Sequence, residues 1–396
     1  MWDSAATAVA GEPEHDLPSR LPWEQLTDGK AANGVDHFGP ACGPAVGVVV
    51  VNHNGGDRVL RVLAALFRQR YPLARVIVVD NASTDGTRAR IRRAHPSVRI
   101  IHLESNQGVA IARNIGLWAL ATPLALVIDH DVYVEGDCIE RLVDAFRAHG
   151  ASVVCPRIRL LPERAVVQAD GAAMHFLGTQ ILRNGYQRAD FAPDAAAEVD
   201  ACIGACMLVD RPRILEAGGY DELFFFYFED LEFSMRLRSS GHTIWCEPAA
   251  LVYHERAGGT PNLSFRGAGD YPRTRAYFTM RNRLISMLIH YRVRTLLILS
   301  PVLLLHEVAC LFIACKRGWP AEWLRAWGWV FSHRREIGAR RHRTQGRRLV
   351  NDRDLLVGGP PPLAPSFLRT SAEKRLLGWY SSVVNRYWSF ARARIG

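Results

Sequence analysis

The chain has 396 residues, a net charge of +10, 48% hydrophobic residues and eight cysteines. That length holds one large α/β domain plus an appendage. The cysteines have no CxxC or His/Cys zinc spacing, which excludes a disulfide framework and a zinc module and reads as reduced thiols in the cytosol. Residues 1–44, rich in Pro, Gly, Asp and Ala, lack a basic n-region and an apolar h-region, so they read as a flexible tail and not a signal peptide.

In chain order, an apolar run at residues 46–51 ends in Asn52-His53-Asn54-Gly55-Gly56, a turn-rich break. Val59, Leu60, Leu63, Leu66 and Phe67 then recur at helical spacing. A second strand, 75–79, ends in Asp80-Asn81-Ala82-Ser83-Thr84-Asp85-Gly86. A third, 99–103, ends in Glu104-Ser105-Asn106-Gln107-Gly108, ahead of a helix carrying Arg113 and Asn114. A fourth, 124–128, ends in Asp129-His130-Asp131. Short strands alternating with helices spell βαβ units and a mostly parallel central sheet flanked by helices. Ligands of such sheets sit at the carboxyl ends of the strands, where all these polar clusters fall.

Asp129 and Asp131 are the most informative pair. Alternate residues of an extended segment project the same way, and two like charges that close need a cation or a raised pKa. Hard oxygen ligands suit Mg²⁺ or Mn²⁺, which suit a diphosphate. The ordinary alternative is a solvated loop at a strand end. Asp80 and Asp85 lie on a loop opened by Asn81, Ser83 and Thr84, whose side chains bond local backbone. A carboxylate there can accept from a pyrimidine imide or a ribose hydroxyl, or Ser83, Thr84 or Asp85 can cap the next helix. Arg113 suits a phosphate or a carboxylate such as Asp80, or is an exposed helix charge.

Further on, Gly218-Gly219-Tyr220-Asp221-Glu222 precedes the aromatic run Phe224-Phe225-Phe226-Tyr227-Phe228 and then Glu229-Asp230-Leu231-Glu232. A carboxylate after that run is expected to be partly desolvated, which raises its pKa and makes a better base. Alternatively Asp230, Glu232, Arg236 and Arg238 form the charged face of an amphipathic helix. His254 ends a short strand at 250–253 and is either a ligand for a cation such as Mn²⁺ or a structural histidine.

Taken together, residues 48–54, 78–86, Asn106-Gln107-Gly108, Ala112-Arg113-Asn114, Asp129-His130-Asp131 and the 218–232 segment resemble the family 2 glycosyltransferases, over roughly residues 45–290. The chain looks most like their bacterial rhamnosyltransferase-like and galactofuranosyltransferase-like members. The resemblance implies a GT-A fold over residues 45–270, with the donor half near 45–135 and the acceptor half near 136–270. It implies inverting transfer from a nucleotide-diphosphate sugar, UDP- or dTDP-linked, to a hydroxyl of a glycan, lipid-linked or cell-envelope acceptor. Val51, Asn52, Asn54, Asp80, Asn81, Ser83, Asp85, Asn106, Arg113, Asp129 and His130 are then the nucleotide-sugar residues. Asp129, Asp131 and His254 hold Mn²⁺ or Mg²⁺. Gly204, Ala205, Tyr227 and Glu229 line the acceptor and sugar pocket, although Gly204 also reads as part of an ordinary buried strand. Asp230 is the general base.

From residue 270 onward, 23 Lys and Arg face 7 Asp and Glu, so the net positive charge belongs wholly to that part. A basic, Trp-rich helical region is expected over 271–345, and a tail with a short helix over 346–396. An apolar run at 296–314 is broken by Pro301, His306 and Glu307. A span needs about 20 apolar residues, so peripheral contact with the inner face of the cell membrane fits better than crossing. A soluble helical cap or an oligomer surface stays open. The basic stretch 340–348 suits anionic lipid or phosphate as well as nucleic acid, and no nucleic-acid motif accompanies it. Two other classes remain: a sugar-phosphate nucleotidyltransferase, against which the absence of Lys or Arg in Asn54-Gly55-Gly56-Asp57 argues, and a non-catalytic glycan- or nucleotide-binding scaffold.

Overall fold

A computed structural model of the chain describes residues 43–255, 272–361 and 370–395. The expected N-terminal tail, up to residue 42, and the glycines after His254 lie outside them.

Strands β1 (Val46–Asn52), β2 (Leu73–Asn81), β3 (Arg99–Leu103) and β4 (Leu124–Asp129) alternate with helices α1 (Asp57–Leu66), α2 (Thr87–Ala94) and α3 (Val109–Ala119). The four strands pair in parallel in the order β3-β2-β1-β4. Because β2 and β3 go to one side of β1 and β4 to the other, the connections part there and leave a crevice at the carboxyl ends. β1 is buried throughout and β4 nearly so, which is why they read as unbroken apolar runs and not as alternating ones.

The chain continues through β5 (Val132–Val134), α4 (Cys138–His149), β6 (Val153–Leu161), β7 (Val167–Ala169), β8 (Ala172–His175), β9 (Gln180–Leu182), β10 (Ala197–Glu198), β11 (Cys206–Asp210), α5 (Arg211–Glu216), α6 (Glu229–Ser239) and β12 (Ile244–Glu255). These extend the sheet to β10-β12-β6-β11-β4-β1-β2-β3. β11 runs antiparallel between β4 and β6, while β6 and β12 are parallel to each other. The strand expected at 250–253 is the end of the twelve-residue β12; its ladder with β6 is interrupted between Glu247 and Leu251, so only the last part stood out. One apolar layer packs α1 and α4 on one face of the sheet, with Leu63, Leu66, Leu142 and Val143 buried. The other packs α3, α5 and α6, with Ile115, Leu117, Ile214 and Phe233 buried.

The C-terminal part comprises α7 (Arg273–His290), α8 (Val293–Arg317), α9 (Pro320–Ser332), α10 (Arg334–Gly346), α11 (Asp352–Leu355), β13 (Leu356–Val357) and α12 (Ser371–Arg392). A small sheet, β13-β8-β9, stitches it to the rest. A third apolar cluster, including Phe176, Phe224, Ile285, Leu299 and Trp388, fills the seam. The closing helix is not the short one expected. The Thr370–Glu373 capping box starts a 22-residue helix, whose Tyr380, Val384, Trp388 and Ala391 share one buried face.

Helix α3 lies close on β1 because Gly116 has no side chain; a Cβ there would stand 2.1 Å from Val49 Cγ1. Alanine normally favours a helix over glycine by about 1 kcal/mol, but overpacking a core costs about 1–3 kcal/mol, and a gap this short forces a backbone shift. Gly116→Ala is therefore expected to lower the thermal midpoint, with Val49→Ala in the same chain recovering part of the loss. A single variant as stable as the parent would refute this packing.

Candidate active site

The carboxyl ends of β1, β2 and β4 meet in register: Asn52 is opposite Asp80, and Val51 is opposite both Val79 and Asp129. Asn52 Nδ2 donates to Asp80 Oδ1 at 2.8 Å and to Ser83 Oγ at 3.0 Å. Ser83 Oγ also accepts from the Asn54 amide at 2.9 Å, and Asn54 Oδ1 accepts from the Thr84 amide at 2.8 Å. Asp80 is fully buried, with His102 Nδ1 at 3.0 Å and Arg88 Nε at 3.4 Å from its Oδ2. Asp85 is spent on the loop itself. It accepts from the Gly56 amide at 2.9 Å and the Thr87 amide at 3.0 Å, tying the first residue of α2 to the β1 loop, while Gly86 is the N-cap. Burial works to raise its pKa, but those bonds prevail and hold it below the ordinary carboxylate value. Asn81 fixes the next loop: its Nδ2 donates to Asn106 Oδ1 at 2.8 Å and its Oδ1 accepts from the Gln107 amide at 2.8 Å. His130 closes the same edge, its ring against Gly55, where a Cβ would come within 3.0 Å.

Arg113 does not reach for Asp80. Its fully buried guanidinium joins Asp129 Oδ1 (3.0 Å), Glu229 Oε1 (3.0 Å) and the Gly204 carbonyl (2.7 Å). It also lies 5.2 Å from the centre of the Tyr220 ring. The sequence-based pairing fails because Asp80 is already shared by Asn52, His102 and Arg88. Gly204 is glycine for a steric reason, since a Cβ would stand 2.7 Å from both terminal guanidinium nitrogens. Its amide donates to Asp230 Oδ2 at 3.0 Å, and the Ala205 carbonyl accepts from the Asp129 amide at 3.0 Å. Residues 204–205 therefore tie β4 to the acid pair that opens α6. Asp230 Oδ1 accepts from the Leu231 amide at 2.8 Å.

Burial pushes Glu229 up to about 7, with Asp230 beside it adding and Arg113 opposing. Burial likewise raises Asp230, against hydrogen bonds from the Gly204 and Leu231 amides. Asp129 is raised by burial and by Asp131, with Arg113 opposing. Asp131 lies in the β4–β5 turn and faces His254 Nε2 at 3.5 Å. His254 Nδ1 meets Gln168 Oε1 on β7 at 2.9 Å.

Several residues that hold this arrangement do so in ways the sequence did not indicate. Asn114 Nδ2 donates to the Tyr220 carbonyl at 2.9 Å and its Oδ1 accepts from the Tyr220 amide at 2.7 Å, so the turn of α3 that carries Arg113 also braces the 218–222 segment. Tyr227 and Phe228 are left-handed, with φ of 62° and 69°, a conformation costing non-glycine residues about 1–3 kcal/mol each. Asn282, fully buried on α7, holds that turn by donating to the Phe226 (2.9 Å) and Tyr227 (2.6 Å) carbonyls. Arg275 stacks over the Tyr227 ring at 4.8 Å. Glu232, expected on a solvated helix face, is fully buried beside Arg236 (2.9 Å) and His290 (3.4 Å). Only the partners' arrival from distant segments explains it.

Removing one partner of a buried ion pair costs about 3–5 kcal/mol, because the other charge stays buried. Arg113→Met is expected to lose about that much in urea unfolding, more than Arg113→Lys; equal stability of Arg113→Met and the parent would exclude the buried bridge.

Residues 47–170 match the model of the family described as Glycosyl transferase family 2. The chain is 29% identical over 236 residues to the N-acetylglucosaminyl-diphospho-decaprenol L-rhamnosyltransferase of Mycobacterium tuberculosis (strain CDC 1551 / Oshkosh), covering 54% of this chain and 76% of that protein. It is 30% identical over 225 residues to the pre-mycofactocin glycosyltransferase of the same organism, covering 56% of this chain and 45% of that one. Among solved structures, GalNAc-T7 with UDP, GalNAc and Mn²⁺ superposes with a TM-score of 0.51 at 16% identity, over 65% of this chain and 50% of that one, which shows the fold alone. With an α/β GT-A architecture and these loops in one crevice, the chain is a glycosyltransferase whose residues 47–170 match the family 2 model.

Proposed function

We propose that the enzyme moves a sugar from a nucleotide-diphosphate donor, UDP- or dTDP-linked, onto a hydroxyl of a glycan or lipid-linked acceptor. In this reading the anomeric centre inverts in one displacement, and the reaction takes place at the cytoplasmic face of the cell membrane during envelope or polysaccharide assembly. The observation that carries the reading is the convergence, through Arg113 and Gly204, of the β4 carboxylate Asp129 with the Glu229–Asp230 pair. Donor-side and acceptor-side acids from opposite halves of the domain thus share one crevice. The name of the mycobacterial rhamnosyltransferase carries a lipid diphosphate acceptor, which supports the acceptor class.

Asp80, Asn52, Ser83 and the loop at Asn106 would hold the nucleoside, with the Asp80 carboxyl oxygens offering further lone pairs to an imide or ribose hydroxyl. Asp129, Asp131 and His254 would hold Mn²⁺ or Mg²⁺. Among the described residues no three His, Cys, Asp or Glu side chains already stand as a ligand group, but the donor chemistry fits. Two hard carboxylates flank the turn, and Gln168 on Nδ1 turns the other imidazole nitrogen toward Asp131. When bound, the ion offsets the charge that develops on the departing diphosphate. EDTA is expected to abolish transfer and Mn²⁺ or Mg²⁺ to restore it.

Asp230 would take the acceptor proton, its carboxylate aimed by the Gly204 and Leu231 amides, while Glu229 contacts acceptor hydroxyls. A positioned base contributes about 10²–10⁴-fold. Asp230→Asn is expected to bind donor normally yet lose at least about a hundredfold in transfer, and Glu229→Gln to lose less. One observation favours a second reading: Glu229 Oε2 is buried with no hydrogen-bond partner. If Glu229→Gln is the more damaging substitution, the base is Glu229.

The pH dependence follows from the raised pKa of the pair. A carboxyl raised above its ordinary value reprotonates sooner as pH falls, so the base is lost earlier on the acid side. The acid limb of kcat/KM is expected above the 3.8 of an ordinary aspartate, with apparent values that belong to the pair. A limb at or below that value would contradict the desolvated site.

A further inference from the structure

The helix α8 is long and apolar enough to cross a membrane by length and composition, yet its sides differ. Val293, Leu297, Pro301, Leu304, Val308, Phe312 and Cys315 are all exposed, at spacings of 4, 4, 3, 4, 4 and 3. They make one apolar stripe about 33 Å long. Leu297, Leu304, Val308 and Phe312 are 69%, 66%, 65% and 55% exposed. The polar groups at mid-helix turn the other way. His306 is buried, with Tyr380 Oη of α12 at 2.6 Å from its Nδ1. Glu307 pairs with Arg283 of α7 and accepts from Trp327 Nε1 of α9 at 3.2 Å. The neighbouring helices add exposed Leu324 and Phe331 on α9 and Leu376 and Trp379 on α12.

We propose that this face, led by the α8 stripe, docks the enzyme on an anionic lipid bilayer, with α8 lying along the surface. This names the partner surface for the membrane location proposed above and rests on that reading. Two observations select a bilayer surface. Arg292 and Arg294 bracket the first residue of the stripe and Lys316 and Arg317 follow its last; Lys316 pairs with Glu373, but Glu307, the one acid of α8, faces inward, so basic groups outnumber acids at the rim. An anionic surface neutralises that charge and a second copy docked on the same face would double it. Crossing is disfavoured because α8 is pinned along its length: Arg283 holds Glu307, Tyr380 holds His306, and Tyr387 Oη donates to the Ile298 carbonyl. A span would pull α7, with Arg275, Arg281 and Arg283, off the catalytic domain.

The test is flotation of the full chain with phosphatidylcholine vesicles, with and without phosphatidylglycerol, at low and high salt. Binding is expected only to the anionic vesicles, weakened by salt, and removed by alkaline carbonate. Leu304→Asp/Val308→Asp is expected to bind at least about tenfold less tightly while keeping metal-dependent hydrolysis of the donor and its thermal midpoint. Leu297→Asp/Phe312→Asp serves as a second variant should the first unfold. Unchanged binding by the folded variants, equal binding to neutral vesicles, resistance to carbonate, or a parent dimer that the same substitutions split would each overturn the proposal. Loss of donor hydrolysis by the parent itself would instead count against the catalytic reading, leaving the docking face standing.

Discussion

The site depends on one buried cation. Arg113, with almost no solvent contact, stands between Asp129 at the end of β4 and Glu229 at the start of α6, and its remaining reach goes to the Gly204 carbonyl. Without that counter-charge the buried Glu229 would be neutralised by protonation, and the half-buried Asp129 would be pushed the same way. With it, both strand end and helix start are held at hydrogen-bond distance, and the carboxyls stay titratable. The fold makes room by leaving out side chains. Gly204 clears the guanidinium, and Gly219, whose Cβ would stand 2.5 Å from Asn114 Oδ1, clears the next residue of α3.

A second constraint is backbone strain next to the acid pair. Left-handed Tyr227 and Phe228 turn the chain sharply into α6, so the first helical residue presents Glu229 to the interior and the next presents Asp230 to the Gly204 amide. Such strain persists only where the surroundings over-determine it. Here three elements do so: the Val109 amide of α3 donates to the Phe225 carbonyl, Glu232 donates its amide to the Phe228 carbonyl, and Asn282 takes the two carbonyls between.

The parallel half of the sheet was readable because buried strands of β-branched residues and turn-rich breaks have a local signature, and Asp80, Asn106 and Asp129 fall where those breaks end. Roles set by long-range partners were not. Arg113 reads equally as a surface charge until Glu229 and Gly204 arrive from the other half of the domain. Glu232 and Arg236 have the spacing of a solvated helix pair, and only His290 on α7 shows that they are enclosed. Asn282 sits among apolar and basic residues in a region whose composition speaks of surfaces, and nothing near it in sequence marks the turn it holds. The capping box of α12 was present as Thr370-Ser371-Ala372-Glu373, but its apolar face is too widely interleaved with charge to stand out.

Asn282 and Arg283 are adjacent on α7. The first grips the peptide groups just ahead of Glu229; the second grips Glu307 on α8. The segment that matches the family ends at residue 170, so the clamp and its anchor both lie well past it. The C-terminal helices are therefore part of the framework that holds the proposed site, and trimming the protein to residues 47–170 would remove the clamp on the turn before the acid pair. Any force that tilts α8 would travel one residue along α7 to reach the turn ahead of Glu229.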